Sequence, residues 1–449
     1  MGISKKTKDS LKLKRTLGLF EATMYGVGII IGAGIYTLIG EGTCIAGNAV
    51  WISFVIGAIV AAFTGLAYCE LSSMMPKEAA EYNYSKKAFN RKVAFIVGWV
   101  MLIAMIVAAS TVSIGFARYF ADVLVKFGIV EQSQMANLSA AYWILIPVAI
   151  LAILIFSLIN YWGMKESSNI NIVATLIETG GLVLIIVIGI FLFNPARDLA
   201  FSPMGFYGIM SGAALMFFAF IGFEDVANIA EETKDARRIV PRALLLSIAI
   251  STIIYILVAI VAVSYLGWEQ MCANPTSLSL MLGNAFGPSA GFLMDIIALV
   301  SISNTILVSL IVASRMIYGI SRDACLPKVF CRINPKTLTP HIAVFAVMLI
   351  SIAFVMIGDI ALIAKLTTAS IFVAYIFVNL SLIALRYKSP GIERKFKAPL
   401  NIGKLPLVGV LGLATSAVLL FYTDTLVLVL EAVLIVLGFA IYTLFVRKN

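Results

Sequence analysis

Charge is what this sequence has least of. Only 12% of its 449 residues are Asp, Glu, Lys or Arg, while 61% are hydrophobic. A soluble domain carries roughly 25% charged residues, so there is too little polar surface here to cover a water-soluble body. Histidine is nearly absent too. His341 stands alone, and the five cysteines (Cys44, Cys69, Cys272, Cys325 and Cys331) form no CxxC pair. A zinc-type site needs three or four ligands at set spacing, so no metal site is expected. No disulfide framework is expected either, and Cys272 reads as a free thiol. No nucleophile–base pair or phosphate-binding loop appears, which argues against an enzyme and against a bound cofactor. Rings of like charge and repeated filter loops are missing as well, which argues against a channel. The net charge of +10 is spread over short loops, without a basic helix face or interleaved aromatics, so nucleic acid is not an expected partner.

What is present is apolar length. Crossing the ~30 Å hydrocarbon core takes about 20 apolar residues in a helix, and such runs recur from end to end. They predict twelve spans near Leu17–Ile39, Ala49–Leu71, Val93–Phe120, Tyr142–Tyr161, Asn169–Phe193 and Gly205–Ala230, then near Arg242–Leu266, Gly291–Gly319, His341–Ile357, Ala361–Leu385, Leu407–Tyr422 and Thr425–Phe445. Each run is continuously apolar rather than alternating, so helices are expected and barrel strands are not. The fold class is therefore an all-α integral membrane protein, with the lipid bilayer as its solvent. Of the 33 Lys and Arg residues, all but Arg118, Lys126, Arg197 and Lys365 fall on one side if the N-terminus is inside. By the positive-inside rule both termini are cytoplasmic, and the cell membrane is the expected location. The basic stretch Lys5–Arg15 leads into a run too long for a signal peptide, so residues 1–16 read as a cytoplasmic tail.

Two spans carry an interruption. Gly26 to Gly34 (Gly-Val-Gly-Ile-Ile-Ile-Gly-Ala-Gly) puts four glycines in nine residues of span 1. Each glycine costs about 1 kcal/mol relative to alanine within a helix. Small-residue helix packing is one reading; an unwound stretch around Gly32-Ala33-Gly34 is the other. In span 6, Phe217 to Asp225 (Phe-Phe-Ala-Phe-Ile-Gly-Phe-Glu-Asp) breaks an apolar run with a glycine and two carboxylates. Five spans separate the two, and five is odd, so they cross in opposite directions. Paired interruptions in inverted halves point to a transporter binding site. Residues 17–193 and 203–388 would be the two five-helix repeats, with 405–446 adding two helices. A half-helix beginning after Gly34 would offer free N–H groups to a carboxylate. Carbonyls near Ile29–Ile31 and at Phe218, Ala219 and Ile221 would suit an ammonium. The zwitterionic backbone of an amino acid uses both.

Four stretches carry a resemblance to permeases of the amino acid–polyamine–organocation family over essentially the whole chain. They are Gly28 to Tyr36; Tyr68 to Pro76 with Glu81 to Tyr84; Phe217 to Glu232 with Ile239 to Ala243; and Ser321 to Pro327. The resemblance implies a leucine-transporter-type 5+5 inverted repeat, with substrate held between spans 1, 3, 6, 8 and 10. It implies that Ile30, Gly32, Ala33 and Gly34 contact the substrate backbone and that Phe218 is an aromatic gate. Relatives that bond covalently to a heavy chain do so through a cysteine in the loop after span 3. Asp122–Ala141 has none, so no such subunit is expected. The sequence departs from the family pattern at Ala79-Ala80 and at Ala324, where glycines are usual.

Glu178 lies about a third of the way through span 5, where many relatives place a lysine. An ionisable residue at this depth is a functional hypothesis by default. It could carry a coupling proton. Alternatively, with Ser301, Ser303 or Asn304 of span 8 and carbonyls near Gly28, it could complete an oxygen site for sodium. A protonated acid bonded between helices is the structural alternative. Glu224 and Asp225 would cap or gate the second break, while Glu70, Glu231, Glu232, Arg322 and Asp323 read as a solvated ion network at the inner face. Asp295 and Glu431 have no assigned role. The expectation is a secondary active, proton-coupled transporter of neutral or apolar amino acids working by alternating access. Apolar Met105, Phe218 and Ala219 in the expected pocket favour that side chain; an exchanger or a cationic amino acid or polyamine permease is the alternative.

Overall fold

In hydrocarbon every backbone N–H and C=O must find its partner within the protein, and a helix does this within one segment. The apolar runs accordingly fold as helices in this computed structural model, which describes residues 17–76, 80–131, 133–134, 138–163, 168–231, 233–323, 325–337 and 339–446. The tail 1–16 and Ala79, Glu232 and Ala324 lie outside the described residues, as does the side chain of Glu231.

Helices α1 (Leu19–Ile31) and α2 (Ala33–Ala46) are separated at Gly32. A turn at Gly47–Ala49 leads into α3 (Val50–Met74). The short α4 (Ala80–Ala88) precedes α5 (Arg91–Lys126), whose start Asn90 caps by accepting from the Val93 N–H at 3.0 Å. Then come α6 (Leu138–Trp162) and α7 (Ser168–Phe191). Next are α8 (Gly205–Met216), a tight turn at Phe217–Phe220 and the single-turn α9 (Asp225–Asn228). The long α10 (Ala236–Leu266) is followed by α11 (Trp268–Ala273) and α12 (Ser277–Phe286). After α13 (Pro288–Arg322) and α14 (His341–Val355) comes α15 (Ile360–Lys388), capped by Asp359. A hairpin of β1 (Asn401–Ile402) and β2 (Leu405–Pro406) precedes α16 (Leu407–Phe421) and α17 (Thr425–Val446).

Among the described residues nine stretches are long and apolar enough to cross a membrane. One of them, Leu19–Met74, contains both the interruption at Gly32 and the turn at Gly47. The predicted ninth and eleventh spans appear as α14 and α16, each 15 residues, shorter than the ~20 that span a full core. The protein is thus an all-α, multi-pass membrane protein. Helix α5 is its axis, with 89% of its apolar window buried; it packs against α13 and α15, and α3 packs against α10. By contrast α6, α7 and α17 expose Leu151, Ile155, Val187, Ile190 and Val436, an apolar surface suited to a bilayer.

Two expectations are corrected. Glu70 is not solvated: it is fully buried, accepting from Arg386 Nε and Nη2 at 2.5 Å each and from the Ala398 N–H at 2.8 Å, with Arg394 Nε 3.1 Å away. Arg386 comes from the last turn of α15, and the Pro-flanked loop after it folds back over the end of α3 and brings in Arg394 and the Ala398 N–H. Cys272 is not a free thiol, because it forms a disulfide with Cys44. The two are 228 residues apart in sequence, and they meet because α11 lies along α2.

At the same end as Glu70, Asp323 accepts from the Tyr82 hydroxyl at 2.7 Å and from Lys86 at 3.0 Å. Burial pushes its carboxyl up, but Tyr82, Lys86 and Arg91 outweigh that and hold it below the usual value. Glu81 behaves oppositely: burial pushes its carboxyl up to about 7, although the Tyr68 hydroxyl donates to it at 2.9 Å.

Candidate functional site

The first interruption is a single residue wide. Gly32 adopts φ −32 and ψ −147, and α2 starts at once with Ala33. The half-helix expected to begin after Gly34 therefore begins two residues earlier. Alanine favours helix, and Gly34 serves close packing instead of unwinding. A Cβ at Gly34 would stand 2.5 Å from the Ala219 Cα.

Both loose ends of this break have partners from other helices. The Ala33 N–H donates to Thr305 Oγ1 of α13 at 2.9 Å. The Tyr255 hydroxyl of α10 donates to the Ile30 carbonyl, and the same hydroxyl lies 2.9 Å from the Ala219 carbonyl. One tyrosine thus ties the end of α1 to the second break. Carbonyls read from sequence as free for an ammonium are partly engaged.

The second interruption is wider. After the Phe217–Phe220 turn, Ile221 is extended (φ −60, ψ 136) and Gly222 has φ 111. A side chain at Gly222 would be strained by its backbone, and its Cβ would lie 2.2 Å from Ile29 Cγ2. Glu224 is fully buried and accepts from the Gly222 N–H at 3.0 Å and from the Tyr375 hydroxyl at 2.8 Å. Its carboxylate holds the turn of the break and gives no side-chain cap to the start of α9.

A cavity lies where the two breaks meet, with about 580 Å³ of free space including the part open to solvent. Its first wall is Gly28, Ile29, Ile30, Ala33 and Gly34 together with Phe218, Ile221, Gly222 and Asp225. The facing wall is Met105 and Ala108 of α5 with Asn304, Thr305, Val308, Ser309 and Val312 of α13. Of the residues expected to bind substrate, Ile30, Ala33, Gly34, Phe218 and Ile221 are in this lining. Gly32 and Ala219 are behind it, forming the break and the packing surface for Gly34. Asp225 is the one acid in the lining, and no basic residue joins it.

The expected coupling site is only partly assembled. Glu178 of α7 is fully buried, and Ser301 Oγ of α13 donates to its Oε2 at 2.6 Å. The Tyr36 hydroxyl donates to the Glu178 carbonyl at 2.7 Å. Nearby, Thr175 packs so tightly on Gly28 that a Cβ there would be 2.0 Å from its hydroxyl. Asn304 instead faces the cavity. Ser303, two residues from Ser301 and so on another face of α13, takes no part in the contacts described around Glu178. Among the described residues no group of three or more His, Cys, Asp or Glu is placed to hold a metal.

The sequence reading missed Tyr255, Thr305 and Tyr375, each a hydroxyl in an apolar span. A buried hydroxyl needs a partner, so each one was a signal, but nothing local named the partner.

The signature of the family described as amino acid permease matches residues 17–446. This chain belongs to the amino acid permease family. The permease is 30% identical over 447 residues to the branched-chain amino acid permease BcaP of Bacillus subtilis, covering 99% of this chain and 95% of that one. It is 26% identical to the methylthioribose transporter of the same organism, covering 98% and 95%. It is 29% identical to cationic amino acid transporter 4 of Mus musculus, covering 84% of this chain and 60% of that one. The permease is a transporter, not an enzyme, and amino acid transport is the function of the family to which it belongs.

Proposed function

We propose that this permease is a secondary active transporter that carries neutral, apolar amino acids by alternating access, coupled to protons. The observation that carries this reading is the cavity at the junction of the two broken helices, where the backbone of the breaks and apolar side chains line one space. The α-amino and carboxylate groups would lie against Ile30, Ala33, Gly34 and Ile221, with Phe218 as the gate. The side chain would point to Met105, Ala108, Val308 and Val312. From the breaks the lining continues along α13 towards Ser309 and Val312, on the Arg322 side. With the charge bias setting that side as cytoplasmic, the state is inward-facing. Twelve crossings with both termini inside the cell membrane follow from the same bias, with α14 and α16 as the two short ones. The 5+5 inverted repeat is supported by two broken helices five spans apart.

Glu178 is the proposed proton carrier, because it is buried and has a neutral hydroxyl partner in Ser301. Glu178→Gln should abolish the dependence of uptake on an imposed proton gradient. Uptake into liposomes that keeps the wild-type response at every pH removes this assignment. A second reading is favoured by Asp225, whose place in the lining suits a cationic amino acid or a polyamine. A thermal-shift screen of the purified protein against amino acids and polyamines separates the two. Liposome uptake under proton or sodium gradients, or by counterflow for an exchanger, then tests each stabilising ligand. Stabilisation by leucine-like and not by arginine-like ligands is expected, and the reverse would favour the second reading.

A further inference from the structure

A second cavity lies at the end of α3 that the charge bias places inside the cell, and it shares no residue with the substrate cavity. It has about 920 Å³ of free space including the part open to solvent. Its lining is Met74 and Met75 from the end of α3, Asn83, Lys86 and Lys87 of α4, and Ile392 from the loop after α15.

The sequence of α4 brings two lysines to this wall together. Residues three and four apart on a helix lie on one face, so Asn83, Lys86 and Lys87 share a side. Glu81, Tyr84, Ser85 and Ala88 take the other side and are buried, where α4 packs on α5 and α15. The wall opposite is held in place: Arg394 Nη1 donates to the Ile392 carbonyl at 2.8 Å, and its Nε lies 3.1 Å from the buried Glu70. No acid is in the lining, and Glu393, next to Ile392, is paired with Lys395 at 2.7 Å and Arg237 at 3.3 Å. Met74, Met75 and Ile392 give the same space an apolar side. Lys87 has no ion-pair partner among the described residues, whereas Lys86 reaches Asp323 at the end of α13 at 3.0 Å. Both members of that pair are partly exposed, at 46% and 34%, and a pair of this kind is weak.

We propose that this cavity binds an anionic phospholipid of the inner leaflet, with its phosphate at Lys86 and Lys87 and its first chain carbons against Met74, Met75 and Ile392. Basic pockets on the cytoplasmic side of membrane proteins take such headgroups, and methionine adapts its shape to an irregular apolar ligand. A free phosphate would use the lysines and leave the apolar side unfilled. A lipid without net charge would leave Lys87 without a counter-ion. Engaging the phosphate turns Lys86 away from Asp323. The end of α13, which belongs to the second wall of the substrate cavity, is then held there by the Tyr82 hydroxyl and by Arg91 on the Asp323 carbonyl. Lipid at this site therefore loosens the inner end of that wall.

The test follows thermal unfolding of the full chain in neutral detergent as dioleoyl phosphatidylglycerol, dioleoyl phosphatidylcholine or inorganic phosphate is added. Phosphatidylglycerol should raise the melting temperature in a saturable way, and the other two should not. Lys87→Ala, with Lys87→Gln as a second variant, should raise the half-saturating lipid concentration about fivefold. Asp323→Asn, which frees Lys86, should lower it about twofold. Lys404→Ala, at an exposed lysine of the β1–β2 hairpin, should leave it unchanged. Amide hydrogen exchange, which reads local opening, should quicken in 316–323 as phosphatidylglycerol binds. Equal losses in Lys87→Ala and Lys404→Ala would mean that the lipid senses only the net charge of this face, which overturns the site. Stabilisation by inorganic phosphate, or exchange in 316–323 indifferent to phosphatidylglycerol, overturns it as well. None of these readouts requires an amino acid to move, so failure here leaves the transport reading intact.

Discussion

The two broken helices solve one problem in opposite ways. The first break occupies Gly32 alone, whereas the second runs from Phe217 to Glu224. A bare peptide group at membrane depth must be satisfied by protein. The first break exposes few such groups and borrows Thr305 and Tyr255 to meet them. Its glycines let neighbours close in: Thr175 on Gly28 and Ala219 on Gly34. The second break is too wide for that and brings its own acceptor in Glu224. Phe217, Phe220 and Phe223 then fix it against Tyr255, Tyr375 and Tyr68. A narrow break presents backbone, while a wide break supplies the side chains that make a wall.

The sharpest way to break this comparison is glycine replacement. At Gly222 a side chain meets both a positive φ and the Ile29 methyl. Gly222→Ala is expected to cost about 1–3 kcal/mol and to cut uptake on the order of 100-fold. At Gly32 an added Cβ meets chiefly the Thr305 hydroxyl at 2.4 Å, which is able to swing aside. Gly32→Ala should lose roughly tenfold in the same assay. The opposite ranking of the two variants in liposome uptake would reverse the comparison.

A smaller effect tests the shared donor. Tyr255→Phe strips the Ile30 and Ala219 carbonyls of one hydroxyl. A buried acceptor left unpaired costs about 1–3 kcal/mol, so substrate affinity should weaken on the order of tenfold. Thr305→Val touches only the first break and should do less. Equal losses in binding titrations would mean that Tyr255 does not couple the two breaks.

The smallest effect is furthest away, at Glu81. Its carboxyl sits at about 7 in the folded protein instead of the usual 4.5, so the folded state holds this proton more tightly than the unfolded chain. The stability it contributes is complete below pH 4.5 and is lost as pH rises to about 7. Glu81→Gln should flatten that part of the melting-temperature profile by a few degrees at most. An unchanged slope in thermal unfolding across this window would show that Glu81 does not set it.

Much of this was legible because it depends on neighbours in sequence. An apolar run such as Val93–Phe120 forms a helix wherever it sits in lipid, and glycine at 32 and 222 marks a weak point without reference to any other segment. The lining residues Ile30, Ala33, Phe218 and Ile221 followed from those weak points. The start of α2 was misjudged because Gly34 reads as a helix breaker until its close neighbour Ala219 is known. Ser301, Ser303 and Asn304 were open alternatives beside Glu178 because they are near in sequence, yet a helix turns by about 100° per residue and it is Ser301 whose hydroxyl reaches the carboxylate.

By itself, then, the order of residues determined the medium, the helices and the two places where they fail. These are local matters of apolar length and backbone freedom. Only the tertiary structure decided that Tyr255 joins the two breaks, that Thr305 rather than Ser303 meets the first, and that Cys44 finds Cys272. Those partners lie tens to hundreds of residues apart. A hydroxyl or a thiol declares that it needs a partner, but helix packing chooses which one.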